Sequence, residues 1–204
     1  MRRLGDTVQA SNILATNHQV TRRMQHSPET ILSFWFDETN PRQWWETSPA
    51  FDRLIADRFG DLHRAAAACE LFAWRATARG RLAEVLILDQ FSRNIYRDTA
   101  QAFACDPLAL ALAQMAVADR TDTELDLNQR AFLYMPFMHS ESQAIHAAAL
   151  VLFDVPGMES WLAFERRHGV IIDRFGRYPH RNAVLGRVAT PQEVDFLTTP
   201  GSSF

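Results

Sequence analysis

The sequence predicts an all-α fold, a compact array of about seven or eight helices. Three observations predict it. Helix-start signals recur along the chain, apolar residues follow helical spacing between those signals, and the alternating apolar and polar pattern of β-strands is absent. We found no fixed repeat period, so the sequence predicts a single packed unit rather than a regular repeat array.

The helix-start signals are side chains that can cap the first turn of a helix. Four sites place such a side chain directly before a proline: Ser27-Pro28, Ser48-Pro49, Asp106-Pro107 and Thr190-Pro191. Two strings, Thr190-x-x-Glu193 and Ser140-x-x-Gln143, are capping boxes in which two side chains satisfy each other's backbone donors. We expect a helix to begin at each of these sites.

The apolar residues between the start signals recur at helical spacing, as in Phe51, Leu54, Ile55, Phe59 and Leu62. A second run follows from Trp161 through Phe164, Ile171, Ile172 and Phe175. Residues 82–88 and 144–153 are apolar on nearly every side. We expect these two segments to be helices buried in the middle of the array.

Length and composition predict one domain in an ordinary globular protein of 204 residues, 47% hydrophobic and 22% charged. Residues 1–26 are polar and weakly patterned, so we expect a flexible N-terminal extension, or a leader upstream of a start near Met24, followed by a helical domain over 27–204.

No stretch approaches the roughly 20 apolar residues of a membrane span. Cys69 and Cys105 belong to no metal-ligand pattern, and free thiols are typical of a reducing compartment. We expect a cytoplasmic protein.

The net charge of −3 argues against a nucleic-acid or membrane-surface protein, because either needs an excess of positive charge. All 21 basic residues are arginine. Codon bias in a GC-rich genome explains that composition most simply. Any positive charge at a binding site is therefore a planar, permanently protonated guanidinium group.

Five polar residues follow the apolar run 85–88 and fall within an arc of about 140° on one helix. They are Asp89, Gln90, Arg93, Asn94 and Arg97. One interpretation is an ion pair between Asp89 and Arg93 on a solvated face. The other is a pocket in which arginine and amide groups bind a carboxylate or phosphate.

Two further places carry polar residues beyond what a helical core requires. His139 and Glu141 flank a helix start, where a histidine favours its neutral form, as a general base must. A segment broken by glycine and proline then contains Arg177, His180, Arg181, Asn182 and Arg187. Glu141 also complements a helix dipole, and the arginines can equally satisfy helix C-terminal carbonyls, so structural interpretations stay open.

His168 lies seven residues after Trp161 on an apolar stripe, so we expect its side chain to point inward as a hydrogen-bonded core residue or a ligand contact. Glu165 and His168 form one Glu-x-x-His string, but a carboxylate-bridged metal site needs a second copy. No nucleophile elbow and no glycine-rich phosphate loop is present. The sequence therefore predicts neither a metal nor a cofactor.

Several strings together carry a family resemblance: Phe34-Trp35-Phe36, LDQFSRNIYR at 88–97, YMPFMHSE at 134–141 and RFGRYPHRN at 174–182. They resemble the bacterial and fungal family catalogued as domain of unknown function nine-two-four, from about Pro28 to Phe204. The resemblance implies a tetratricopeptide-like helical fold and no established activity. Ser142 stands where relatives often carry an acidic residue, so the resemblance supplies no acidic partner at that position.

Three hypotheses for function follow. The leading one is a pocket for a small anionic ligand, a phosphate or carboxylate ester, where the 89–97 face meets the 177–187 segment. A hydrolase version uses His139 or His180 as general base, with Arg93, Arg97 and Arg181 stabilising negative charge. The alternatives are a tetratricopeptide-like module that binds a protein or peptide without catalysis, and a core whose arginines only join helices.

Overall fold

The computed structural model describes residues 26–202 of the chain, and this part is helical without any β-strand. It contains eight helices, as predicted, if helical segments that continue one another are counted together. They are α1 (Pro28–Ser33, continued by the π-helical segment Phe34–Glu38), α2 (Pro49–Ala67), α3 (Ala78–Leu86, the π-helical segment Ile87–Phe91, and Ser92–Ile95), α4 (Asp106–Ala118), α5 (Leu127–Met138), α6 (Gln143–Phe153), α7 (Glu159–Phe175) and α8 (Pro191–Leu197). Short 3-10 segments connect them at Pro41–Trp44, Phe72–Ala76, Ala100–Phe103, Thr121–Glu124 and Pro179–Arg181. The expected extension at 1–26 lies outside the described residues, except for His26.

Three of the predicted caps are present. The side chains of Ser27, Ser48 and Thr190 accept hydrogen bonds from backbone N–H groups in the first turns of α1, α2 and α8. The capping box between Thr190 and Glu193 is complete. Each cap satisfies a backbone donor that the helix itself leaves unpaired, which is why these starts were readable from the sequence.

The two other predicted starts are wrong in detail. Asp106 is the first residue of α4 and does not cap it, because its carboxylate binds Arg93 and Arg181 instead. Ser140 is not a cap either, since its N–H still closes the end of α5 by donating to Phe137 O (3.2 Å). Helix α6 begins at Gln143, and Ser142 at its N-cap makes no side-chain capping bond.

Helix α3 forms the centre of the array and packs against α1, α2, α4 and α5. Every residue from 82 to 88 is fully buried, as predicted. The one charged residue in that run, Glu84, accepts two hydrogen bonds of 2.7 Å each from Arg75. This pairing allows a carboxylate to remain inside an apolar helix.

The matching expectation for residues 144–153 is wrong. Helix α6 packs between α5 and α7 through one face, and only His146, Ala149 and Phe153 are buried in it. Val151 on its outer face is 74% exposed. Apolar composition indicated burial here, but the neighbouring helices cover only one side.

Within residues 26–202, one helical stretch, Ala100–Ala118, is long and apolar enough to span a membrane by length and composition, with a mean hydropathy of 1.3. The sequence expectation that no stretch approaches this limit is therefore corrected. Core helices pass the same test, and Asp106 within the stretch is ion-paired to Arg93 and Arg181. Its buried residues Ala109, Leu112, Ala113 and Ala116 belong to the main core.

Candidate functional site

A cavity of about 450 Å³ opens between the end of α3, the end of α5, helix α7 and the segments around Trp45 and His180. Eight of the residues predicted to form a site line it: Gln90, Arg93, Asn94, Arg97, His139, His168, His180 and Arg181. They come from four separate parts of the chain. The fold thus brings the three polar regions of the sequence, together with His168, to one place.

The other five predicted residues do not line the cavity. They are Asp89, Glu141, Arg177, Asn182 and Arg187. Arg177 donates two hydrogen bonds to Glu193 (2.6 and 2.8 Å), and Arg187 donates two to Glu141 (2.6 and 3.0 Å). These two arginines fasten the segment after α7 to the rest of the array, and Asn182 is buried beside them.

Glu141, predicted as a catalytic residue, holds this same segment in place. Its carboxylate also accepts a hydrogen bond from the backbone N–H of Tyr178 (2.8 Å). Burial would raise the pKa of Glu141, but the hydrogen bonds from Arg187 and Tyr178 lower it below its ordinary value. Glu141 is therefore a fixed carboxylate that anchors the loop.

The central pair of the site is Asp89 and His139. Asp89 is fully buried in the π-helical segment of α3, and its Oδ1 lies 2.8 Å from Nδ1 of His139 at the end of α5. Gln90 donates a second hydrogen bond to Asp89 Oδ2 (2.5 Å). Since an ionised carboxylate only accepts hydrogen bonds, Nδ1 of His139 carries the proton and Nε2 is left free to accept one.

The charges around this pair fix its protonation state. Burial alone would raise the pKa of Asp89, but the charges of Arg93 and His139 and two hydrogen bonds lower it strongly. Burial and the Arg93 charge lower the pKa of His139, and Asp89 offsets only part of this. At neutral pH the pair is a neutral imidazole backed by a buried carboxylate, which is the arrangement of a general base.

Two of the cavity arginines share one carboxylate. Arg93 donates to both oxygens of Asp106 (3.1 Å each), and Arg181 donates to Asp106 Oδ2 at 3.3 Å. Arg181 is only 6% exposed, and its buried Nε has no hydrogen-bond partner within residues 26–202. Burial and the nearby Arg93 charge lower the pKa of Arg181. Its guanidinium is therefore the least neutralised charge at the site.

Arg97 is held more firmly than Arg181. It donates two hydrogen bonds to Asp52 (2.6 and 2.8 Å), and Asn94 donates a third (2.9 Å). Asp52 lies in the first turn of α2, so this contact joins α2 to the end of α3. The side chain of Arg97 lines the cavity, but its charge is already matched by a carboxylate.

Two further histidines line the cavity in the neutral form. His168 is 5% exposed, as the apolar stripe predicted, and its Nδ1 donates to the carbonyl of Phe164 (2.8 Å). Burial lowers the pKa of His168 to about 3. Burial, with the Arg181 charge, lowers the pKa of His180 to about 4. Near neutral pH both rings are therefore neutral imidazoles, each with a proton on one nitrogen.

A buried hydrogen-bond network connects Tyr178 in the cavity wall with the turn between α5 and α6. Tyr178 donates from its hydroxyl to the carbonyl of Met138 (2.6 Å), which fixes the residue next to His139. His146 donates from Nε2 to the carbonyl of Ser140 (2.8 Å), and its Nδ1 lies 2.6 Å from Oε1 of the fully buried Glu165. These bonds hold the turn between α5 and α6, and with it the His139 ring.

Comparison with known proteins identifies the family of this chain. The sequence profile of a family described as bacterial protein of unknown function (DUF924) matches residues 31–201. The chain belongs to the DUF924 family. A solved structure, the protein of unknown function ATU0120 from Agrobacterium tumefaciens, is similar to it with a TM-score of 0.80 and 40% identity, covering 84% of this chain and 96% of that one. A comparison with curated proteins found no match.

Sequence reasoning missed a large part of the cavity in this DUF924 chain. Its apolar wall contains Trp44, Trp45, Phe103, Met135, Met138, Trp161, Phe164 and Tyr178. The spacing of Trp161 and Phe164 predicts only a helical stripe, and the position of Asp106 before Pro107 predicts a cap rather than a carboxylate that binds two arginines. The family strings 134–141 and 174–182 contained Met135, Met138 and Tyr178, so those strings were the available signal.

Other chemistry has less support in the DUF924 structure. His63 Nε2 lies 2.7 Å from Ser92 Oγ, but the Ser92 hydroxyl donates to the carbonyl of Leu88 and neither residue lines the cavity. This contact is a core hydrogen bond rather than a nucleophile and base. No cluster of three or more metal-ligating side chains occurs among residues 26–202.

Proposed function

We propose that this DUF924 protein binds a small carboxylate or phosphate ester in the cavity and hydrolyses it with His139 as general base. The observation that carries the proposal is the contact between Asp89 and His139, with a buried carboxylate on one side of the imidazole and the cavity on the other. This arrangement leaves Nε2 as the basic atom, next to arginine side chains that stabilise negative charge.

The reaction uses His139 and the arginines that line the cavity, the buried carboxylate of Asp89 behind His139, and one water molecule. Nε2 of His139 accepts a proton from the water while its oxygen attacks the carbonyl carbon or phosphorus of the ester. The bond from that atom to the leaving oxygen then breaks, and the proton on Nε2 passes to the leaving alkoxide. The products are an acid and an alcohol, and His139 returns to its neutral form.

The role of the arginines follows from their pairing. Three carboxylates neutralise the positive charges of the cavity arginines: Asp52, Asp89 and Asp106 pair with Arg97, Arg93 and Arg181. The site therefore has no excess positive charge that would attract every anion. Arg181 has the weakest partner and is fixed between the rings of Phe103 and Tyr178, at 4.6 and 4.5 Å. Such a preorganised donor suits a group on which negative charge develops during the reaction.

The size of the cavity favours a small molecule over a peptide. Small-molecule sites are commonly about 300–1,000 Å³ and combine apolar walls with a few polar groups. The cavity of about 450 Å³ falls within this range. A peptide-binding module would instead present an extended groove.

The test is hydrolysis of 4-nitrophenyl acetate and 4-nitrophenyl phosphate by the purified chain. We expect turnover of at least one ester, and His139→Gln should reduce kcat by about 10²–10⁴ with little change in KM. Arg79→Lys is the matched control, because Arg79 is exposed at the start of α3 and lies outside the cavity, so this variant should leave kcat unchanged. If the native chain hydrolyses neither ester, or if His139→Gln is as active as the native chain, the proposal fails.

A further inference from the structure

The apolar wall of the cavity is mainly aromatic around Trp45, Trp161 and Phe164. The ring of Trp45 lies 6.2 Å from that of Phe164 at an interplanar angle of 9°, and 5.6 Å from that of Trp161 at 57°. These three side chains come from the connection before α2 and from the first half of α7. We call them the aromatic wall.

The aromatic wall is unusually open to water for side chains of this size. Trp45 is 53% exposed and Phe164 is 38% exposed, whereas the core aromatics beneath them, such as Phe132 and Trp35, are almost fully buried. Single exposed apolar residues are common on protein surfaces. Two nearly parallel exposed rings at a cavity that also contains arginines are more informative, because such combinations mark ligand sites.

The wall is also held in place before any ligand binds. Trp44 donates from Nε1 to the carbonyl of Trp35 (3.0 Å) and to Oγ1 of Thr39 (2.9 Å), which anchors the residue next to Trp45. Trp45 itself stacks on the buried ring of Phe132 at 6.2 Å and 19°. A rigid aromatic surface loses little conformational entropy when a flat group stacks on it.

We propose that the ligand of this site is an aryl compound, in which a flat aromatic ring that contacts Trp45, Trp161 and Phe164 is joined to the anionic or ester group near Arg181. The inference rests on the proposed function, since it places the reacting group beside His139. It adds a substrate class, aryl esters of carboxylic and phosphoric acids, to a site otherwise described only by charge. The cavity volume of about 450 Å³ suits a single ring with one such group.

The test compares each anion with its aryl counterpart by isothermal titration calorimetry: acetate with benzoate, and inorganic phosphate with phenyl phosphate. We expect the aryl member of a pair to bind at least about ten-fold more tightly, as one favourable ring contact predicts. Binding should also quench tryptophan fluorescence, because three of the five tryptophans line the cavity.

Variants of the aromatic wall separate this inference from the proposed function. Trp45→Ala should remove most of the aryl advantage and Trp45→Phe should retain it, while Phe72→Ala, at a residue that is 68% exposed away from the cavity, should change nothing. If acetate and phosphate bind but their aryl counterparts bind no more tightly, the aryl inference is overturned and the proposed function stands. If none of the four compounds binds, the aryl inference is overturned, whereas the proposed function fails only if neither 4-nitrophenyl ester is hydrolysed.

Discussion

Nδ1 of His139 lies 2.8 Å from Oδ1 of Asp89, although the two residues are 50 positions apart in the sequence. Asp89 belongs to the central helix α3 and His139 to the end of α5, so the contact depends on how these helices pack. The carboxylate is inaccessible to solvent, whereas the histidine faces the cavity. The pair therefore orients one imidazole nitrogen toward a ligand.

Asp89→Asn tests the contribution of the buried carboxylate. The amide has nearly the same shape but removes the charge that orients and supports the imidazole. We expect kcat for 4-nitrophenyl ester hydrolysis to fall by about 10²–10⁴, with a smaller change in KM. Asp195→Asn, at an exposed position on α8, is the control and should be as active as the native chain. Full activity in Asp89→Asn would show that His139 needs no partner.

Arg181→Lys tests the anion contact. A ligand that binds only the native state stabilises it by about 2.7 kcal/mol at one hundred times its dissociation constant, so benzoate or phosphate should raise Tm in a saturable way. Lysine keeps the charge but lacks the planar fork, so Arg181→Lys should lose most of this shift. Arg79→Lys, at an exposed position at the start of α3 and outside the cavity, should keep it. Equal shifts in both variants would remove Arg181 from the site.

The buried histidines predict how stability depends on pH. The folded pKa of His168 is about 3, below the ordinary 6.5, so the unfolded chain binds a proton between these values that the folded chain does not. Its contribution to stability is therefore present above pH 6.5 and is lost as the pH falls toward 3, by up to about 1.4 kcal/mol per pH unit.

His168→Gln removes this titration. We expect the free energy of unfolding, measured by urea denaturation between pH 4 and pH 7, to depend less steeply on pH in the variant than in the native chain. The difference between the two slopes should correspond to about one bound proton. A substitution at the exposed Asp195 serves as the control and should leave the slope as it is. An unchanged slope in His168→Gln would mean that His168 is protonated in the folded protein.

Two glycines in helices predict opposite responses to alanine. A Cβ at Gly80, in the first turn of α3, would lie 1.9 Å from the backbone oxygen of Trp74, so Gly80→Ala should destabilise the fold by about 3 kcal/mol or more. A Cβ at Gly60 in α2 meets nothing closer than the end of Arg64 at 3.9 Å. Gly60→Ala should stabilise the chain by up to about 1 kcal/mol, because alanine favours helix. Thermal unfolding measures both, and a tolerated Gly80→Ala would contradict the packing of the Phe72–Ala76 segment on α3.

The sequence was most informative where the deciding interactions are local. The caps at Ser48 and Thr190 involve residues within three positions, and the all-α class and the buried run 82–88 follow from periodicity. The expectation for 144–153 failed because burial depends on which neighbours cover a helix. A local pattern gives the face of a helix but not the helix that packs on it.

The site was readable only in part for the same reason. The strings around Asp89, His139 and Arg181 marked three polar regions, and side chains from all three line one cavity. Their pairing could not be read, since Asp106 looked like a cap although its carboxylate binds two arginines. Two residues of the aromatic wall, Trp161 and Phe164, follow ordinary helical spacing. The spacing of apolar residues along a helix does not show which of them are exposed at a cavity.

The most direct test of the general-base role is the pH dependence of kcat/KM for 4-nitrophenyl acetate, an ester without a titratable group in this range, in the native chain and in His139→Gln. Because burial and Arg93 lower the pKa of His139, the native chain should be fully active at neutral pH and lose activity along a single limb below pH 6.5. In His139→Gln that limb should be absent and the residual rate should be low across the range. A native profile without an acidic limb, or the same limb in both proteins, would contradict the assignment of His139 as the base.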